Sequence, residues 1–71
     1  MTVTRDEHLE WCRQRALEYV EIGDLDQAVS SMLSDLLKHE EIVLNPILAM
    51  VGLYSVQLGT EDVKRWINGF N

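Results

Sequence analysis

His8 and Cys12 stand four residues apart, a spacing that on a helix turns two ligands toward one metal ion. A structural zinc site takes four ligands, and His39 is the one further residue of those two types. Nucleophilic catalysis would draw on Ser30, Ser31, Ser34 or Cys12, each needing a base and an orienting group within hydrogen-bond reach. The three serines fall inside a helical pattern without a glycine-flanked nucleophile turn. His39-Glu40-Glu41 lacks the second histidine of a zinc-protease helix. The carboxylate pairs Asp24 with Asp26 and Glu61 with Asp62 sit at helix starts, where acids cap amides and oppose the helix dipole. These residues are a parts list without an assembly, so the sequence predicts no enzyme, no metal and no cofactor. It predicts a buried thiol at Cys12 and surface histidines near helix ends. A small metal-binding or enzymatic protein stands as the least favoured alternative.

The elements that would hold such residues follow from local signals. Thr4-Arg5-Asp6-Glu7 is a capping box, and Leu9, Cys12, Ala16 and Val20, flanked by Leu17 and Tyr19, make the stripe of a helix over residues 5–22. Gly23 stands where a left-handed cap is expected, and Asp24 caps a second helix over 25–39 whose stripe is Leu25, Ala28, Val29, Met32, Leu33 and Leu36. So short a turn makes an antiparallel hairpin. Asn45-Pro46 starts a third helix, over 46–58, and Gly59 ends it. Ile47, Met50, Val51, Tyr54 and Leu58 form one apolar face of it and Ala49, Leu53 and Val56 another, which predicts a helix buried on two sides. Thr60-Glu61-Asp62 opens a short fourth helix over 61–68 with Val63, Trp66, Ile67 and Phe70 inward, and Gly69-Phe70 reads as a Schellman ending. The expectation is one all-α domain of four helices spanning residues 1–71, built on the hairpin.

Composition narrows the class. A chain of 71 residues and 8.2 kDa holds one domain, and 46% apolar content is too much for a disordered acidic tail. Cys12 is the single cysteine, so no internal disulfide can staple a core this small, and partner contacts become more probable than in a larger domain. The first residues carry no apolar signal core, which with the reduced thiol predicts a cytoplasmic protein. The uncharged stretch 42–60 approaches the ~20 residues of a membrane span, but Asn45-Pro46, Gly52, Ser55, Gln57 and Gly59 break it up, so no membrane association is expected.

Two resemblances bear on this chain. Ala16, Tyr19, Gly23 and Ala28, with Met32, carry the small-aromatic-glycine-small spacing of a tetratricopeptide motif, and residues 9–40 resemble one such repeat, with Cys12, Asp35 and Glu40 departing from its pattern. Most of the chain resembles short acidic proteins of unknown function encoded by bacteriophages and prophages. The likeness rests on Glu10-Trp11-Cys12, Arg15-Ala16-Leu17-Glu18-Tyr19-Val20, Gly23-Asp24-Leu25, Ser31-Met32-Leu33-Ser34-Asp35-Leu36, Lys38-His39 and Asn68-Gly69-Phe70. That resemblance implies a bacterial host's cytoplasm and an accessory role directed at a host protein. It implies no reaction.

Charge is uneven. Residues 1–41 hold ten acids and four bases, so the whole net charge of −6 resides there and the remaining thirty residues are neutral. Direct nucleic-acid binding is disfavoured, since it calls for clustered Lys and Arg. Trp11 falls on one helix face with Arg15, Glu18 and Ile22, nearly opposite the core stripe, and an aromatic beside arginine is a common interface composition. Two readings of Trp11 stand: an anchor for a partner, or a residue covered by Ile42-Val43-Leu44 or the last helix. The sequence therefore predicts a protein-protein interaction module, homodimeric or bound to a host protein, with Trp11, Arg15, Glu18, Ile22, Glu10 and Glu21 as contact residues. The alternative is an acidic inhibitor that fills a nucleic-acid-binding groove through Glu10, Glu18, Glu21, Asp24 and Asp26.

Overall fold

The computed structural model describes residues 4–39 and 44–70, which form four helices in chain order: α1 (Arg5–Glu21), α2 (Leu25–Leu36), α3 (Pro46–Leu58) and α4 (Thr60–Asn68). Among the described residues all regular structure is helical, as the sequence predicts for a small all-α domain.

Most helix ends follow their local chemistry. The Thr4 hydroxyl accepts from the Glu7 amide at 3.1 Å and donates to the Glu7 carboxylate at 2.9 Å, which fastens the first turn of α1. At its other end Gly23 adopts φ +82°, the Gly23 amide donates to the Val20 carbonyl and the Asp24 amide to that of Tyr19. That bond pair is the Schellman motif, and it reverses the chain into α2, where the Asp24 carboxylate accepts from the Gln27 amide at 3.2 Å. Asn45 caps α3 by accepting from the Ile47 amide at 2.8 Å, with Pro46 in the first turn. Gly59, at φ +119°, both ends α3 and precedes α4.

Three expectations need correction at this level. Helix α2 stops at Leu36 instead of running to residue 39. The Asp35 carbonyl that a continuing helix would give to the His39 amide takes the Lys38 amide at 3.2 Å and the His8 ring nitrogen Nε2 at 2.6 Å. Thr60 is the first residue of α4 and not its cap, since the bare backbone of Gly59 holds that place. Gly69 is right-handed (φ −79°, ψ −11°), so α4 closes through a simple Gly69 amide to Trp66 carbonyl bond and not through a Schellman turn.

The core is the stripe Leu9, Cys12, Ala16 and Val20 of α1 against Ala28, Val29, Met32 and Leu36 of α2, sealed by Val63, Trp66 and Ile67 of α4. The small residues Ala16 and Ala28, both fully buried, let the two helices of the hairpin approach closely. Helix α4 touches both members of the hairpin, whereas α3 touches α2 and α4 and makes no contact with α1 among the described residues.

Helix α3 departs most from expectation. Only Gly52 and Ser55 of its residues are buried, and the face Ile47, Met50, Val51, Tyr54 and Leu58 points into solvent. The helix is not buried on two sides. Its inward face is the small one because Trp66 lies across it: a methyl group built on Gly52 would overlap the six-membered ring of the Trp66 indole. The indole nitrogen donates to the Leu48 carbonyl at 2.9 Å, and the Ser55 hydroxyl folds back onto the Gly52 carbonyl at 2.6 Å. The second expected face is not buried either, since Leu53 is exposed and Ala49 and Val56 are only partly covered.

Candidate functional site

Two surfaces carry side chains that the core does not explain. The first surrounds Trp11, which is 42% exposed. Its indole stacks with His8 at 5.4 Å between centroids, and the Arg15 guanidinium and the Lys38 ammonium lie 5.0 and 5.7 Å from it. His39 stands 5.2 Å from His8. The organising residue is Asp35, whose side chain is buried on the inner face of α2 and receives Arg15 Nε at 2.8 Å, Lys38 Nζ at 3.0 Å and the Ser31 hydroxyl at 3.3 Å. Burial pushes the Asp35 carboxyl up, but the hydrogen bonds and charges of Lys38 and Arg15 outweigh it and hold the group below its ordinary range. Asp35 thereby carries Arg15 and Lys38 over the Trp11 ring.

The predicted contact residues are distributed accordingly. Trp11 and Arg15 meet as the helical spacing requires, but each is already engaged within the chain. Arg15, Glu18, Tyr19 and Ile22 border a hollow of about 310 Å³, with Ile22 exposed at its edge. Glu10 pairs with Arg13 one turn on, at 3.4 Å, while Glu21 is exposed in the last turn of α1. Of the residues proposed to cover Trp11, Ile42 and Val43 lie outside the described residues, as do Glu40 and Glu41.

His8 and Cys12 are both engaged within the fold. His8 Nε2 faces the Asp35 carbonyl, a contact that only a protonated nitrogen can make by donating. The Cys12 side chain is fully buried, and desolvation, reinforced by the nearby negative charge of Asp35, raises its pKa from 9.0 to about 11. It is a protonated core residue at neutral pH. Among the described residues no group of three or more His, Cys, Asp or Glu could hold a metal ion.

The second surface is α3 with the edge of α4. Ile47 (67% exposed), Met50 (68%), Val51, Tyr54 (54%) and Leu58 (57%) form a stripe of large apolar side chains along the outer side of α3. Between this stripe and α4 runs a groove of about 660 Å³ with Trp66 and Ser55 at its base and Asp62 and Arg65 on its far bank. Asp62 and Arg65 pair with each other at 3.4 Å, so the groove carries no unbalanced charge. Trp66 is held by the Leu48 carbonyl and by an edge-on contact with Phe70 at 5.0 Å, which makes the floor rigid. No described helix is long and apolar enough to cross a membrane.

Helical spacing puts these α3 residues on one apolar face, which the sequence predicts to be buried and which turns outward instead. The signal that separates the two outcomes is the pair Gly52 and Ser55, three apart on the opposite side and small enough to accept a tryptophan. Asp35 was legible too, since it lies in register with Ala28 and Met32 at i, i+4 and i+7 on the inward stripe. Comparison with known proteins gives no match to a family model, to a curated protein or to a solved structure.

Proposed function

We propose that this chain is a protein-interaction module that binds through the preformed apolar face of α3 and performs no chemistry of its own. One observation carries the reading: five large apolar side chains in line on a charge-free helix are left in water, beside a groove with a fixed aromatic floor. Contiguous exposed apolar surface of this kind marks interaction sites in small proteins, and aromatic and methionine side chains dominate the centres of such interfaces. Trp11 is the weaker anchor, because Arg15 and Lys38 already lie over its ring. The phage resemblance supplies a setting, a bacterial host's cytoplasm, and a host protein as the object of modulation.

The acidic end of the hairpin supports a second reading, an inhibitor that imitates nucleic-acid charge. Glu18, Glu21, Asp24 and Asp26 are all exposed around the α1–α2 turn. Salt separates the two, because binding by charge mimicry falls steeply with ionic strength whereas an apolar interface responds little.

The test compares what the immobilised protein retains from a bacterial extract when it carries Tyr54→Glu or Trp11→Ala. Binding through α3 predicts that Tyr54→Glu lowers retention at least ~10-fold and that Trp11→Ala leaves it within ~2-fold. Loss with Trp11→Ala and retention with Tyr54→Glu would sink the reading.

A further inference from the structure

Resting on the reading of α3 as a binding face, we infer that its occupant is a second copy of this chain, packed antiparallel across a two-fold axis. The outward stripe is self-complementary. Ile47, Val51, Tyr54 and Leu58 follow a four-three-four spacing, the alternation of a coiled-coil seam, and it reads the same in both directions. An isologous contact needs that property: when one helix lies antiparallel on its twin, Ile47 faces the partner's Leu58 and Val51 faces the partner's Tyr54.

Charge selects the same surface. A chain of net charge −6 repels its own copy, and α3 is the helix that carries no charged residue. The acids of α1 lie away from it, since α1 does not touch α3 among the described residues.

Area sets an upper bound. From their fractional exposures, Ile47, Met50, Val51, Tyr54 and Leu58 expose on the order of 600 Å² per copy, so complete cover would bury ~1,200 Å² in the pair, the lower edge of the ~1,200–2,000 Å² of specific interfaces. An interface of that size falls with weak and transient associations, so the dimer is sought at micromolar concentrations and above. A single small domain without a disulfide gains further core by this union.

Sedimentation equilibrium of the purified chain from ~1 to ~300 μM tests it, across the range where a micromolar dimer forms. The expected mass rises from 8.2 kDa to twice that value. Tyr54→Glu should weaken the dimer at least ~100-fold, because each interface buries two copies of the new charge, with helix content unchanged in circular dichroism. Orientation is read by mixing Ile47→Cys protein with Leu58→Cys protein under mild oxidation. The antiparallel pair predicts the mixed disulfide, and disulfides between identical copies alone would overturn the arrangement. Wild-type protein at 8.2 kDa throughout would overturn the second copy as occupant, while a Tyr54→Glu loss of retained host protein would still uphold the α3 surface. A dimer indifferent to Tyr54→Glu would overturn the seam itself.

Discussion

Gly52 lies flat beneath the indole of Trp66, which reaches across it to donate a hydrogen bond to the Leu48 carbonyl at 2.9 Å. This contact turns α3 over. By taking the smallest side chain as its partner, Trp66 buries the narrow side of the helix and leaves the wide apolar side for an outside surface.

Gly52→Ala should therefore destabilise the domain, although alanine is the better helix former. The propensity gain is at most ~1 kcal/mol, whereas overfilling a packed contact costs ~1–3 kcal/mol and the indole hydrogen bond is worth another ~1 kcal/mol. A net loss of ~1–2 kcal/mol lowers the melting temperature of a domain this size by roughly 5–15 °C. In a Trp66→Leu background the same alanine should be nearly neutral, because the indole that it strikes has gone. Equal costs in both backgrounds would show that the contact does not control α3.

Acid should act through Asp35. Its carboxyl is held below the ordinary 3.8 by Lys38 and Arg15, so the folded protein keeps it ionised where the unfolded chain begins to take up a proton. The stabilisation is complete above that value and is lost as pH falls through the lower folded pKa. Asp35→Asn should cost ~1–3 kcal/mol at neutral pH, less than breaking a deeply buried pair, because Arg15 and Lys38 are themselves half exposed and can turn to water. The gap between variant and wild type in urea unfolding should narrow as pH falls below 3.8. A gap constant from neutral pH into that acid range would mean that the carboxylate is not paired.

Alkali should act through Cys12 with the opposite sign. The folded pKa of about 11 exceeds the ordinary 9.0, so above 9.0 the unfolded chain loses a proton that the native protein keeps, and stability falls as pH rises toward 11. At mildly alkaline pH the thiol should react with an aromatic disulfide reagent only as fast as the core opens, with a rate that climbs in step with denaturant. Labelling within seconds in the native state would place Cys12 outside the core.

What the sequence made legible was local. Thr4 with Glu7, Gly23, Asp24 with Gln27, and Asn45-Pro46 each set a helix end through residues at most three apart, and each is found at its post. The end of α2 was not legible, because His8 from another helix competes for the Asp35 carbonyl. Nor was the orientation of α3, which is set by a residue fourteen positions away: apolar content says that a helix will seek cover, and only the size match of Trp66 to Gly52 and Ser55 says which side finds it within the chain. Trp11 and Arg15 were matched correctly by helical spacing, but Lys38 and Asp35 come to them through the hairpin and change what the pair is free to do.

The most direct test of α3 as a binding face is the accessibility of two methionine methyl groups to a soluble paramagnetic probe, read by carbon-13 NMR over a concentration series. Met32 is fully buried and serves as the internal control, while Met50 is 68% exposed on the outward face. Met50 should relax strongly at low concentration and become protected as the protein associates, with Met32 shielded throughout. Association that leaves Met50 as accessible as before would contradict it.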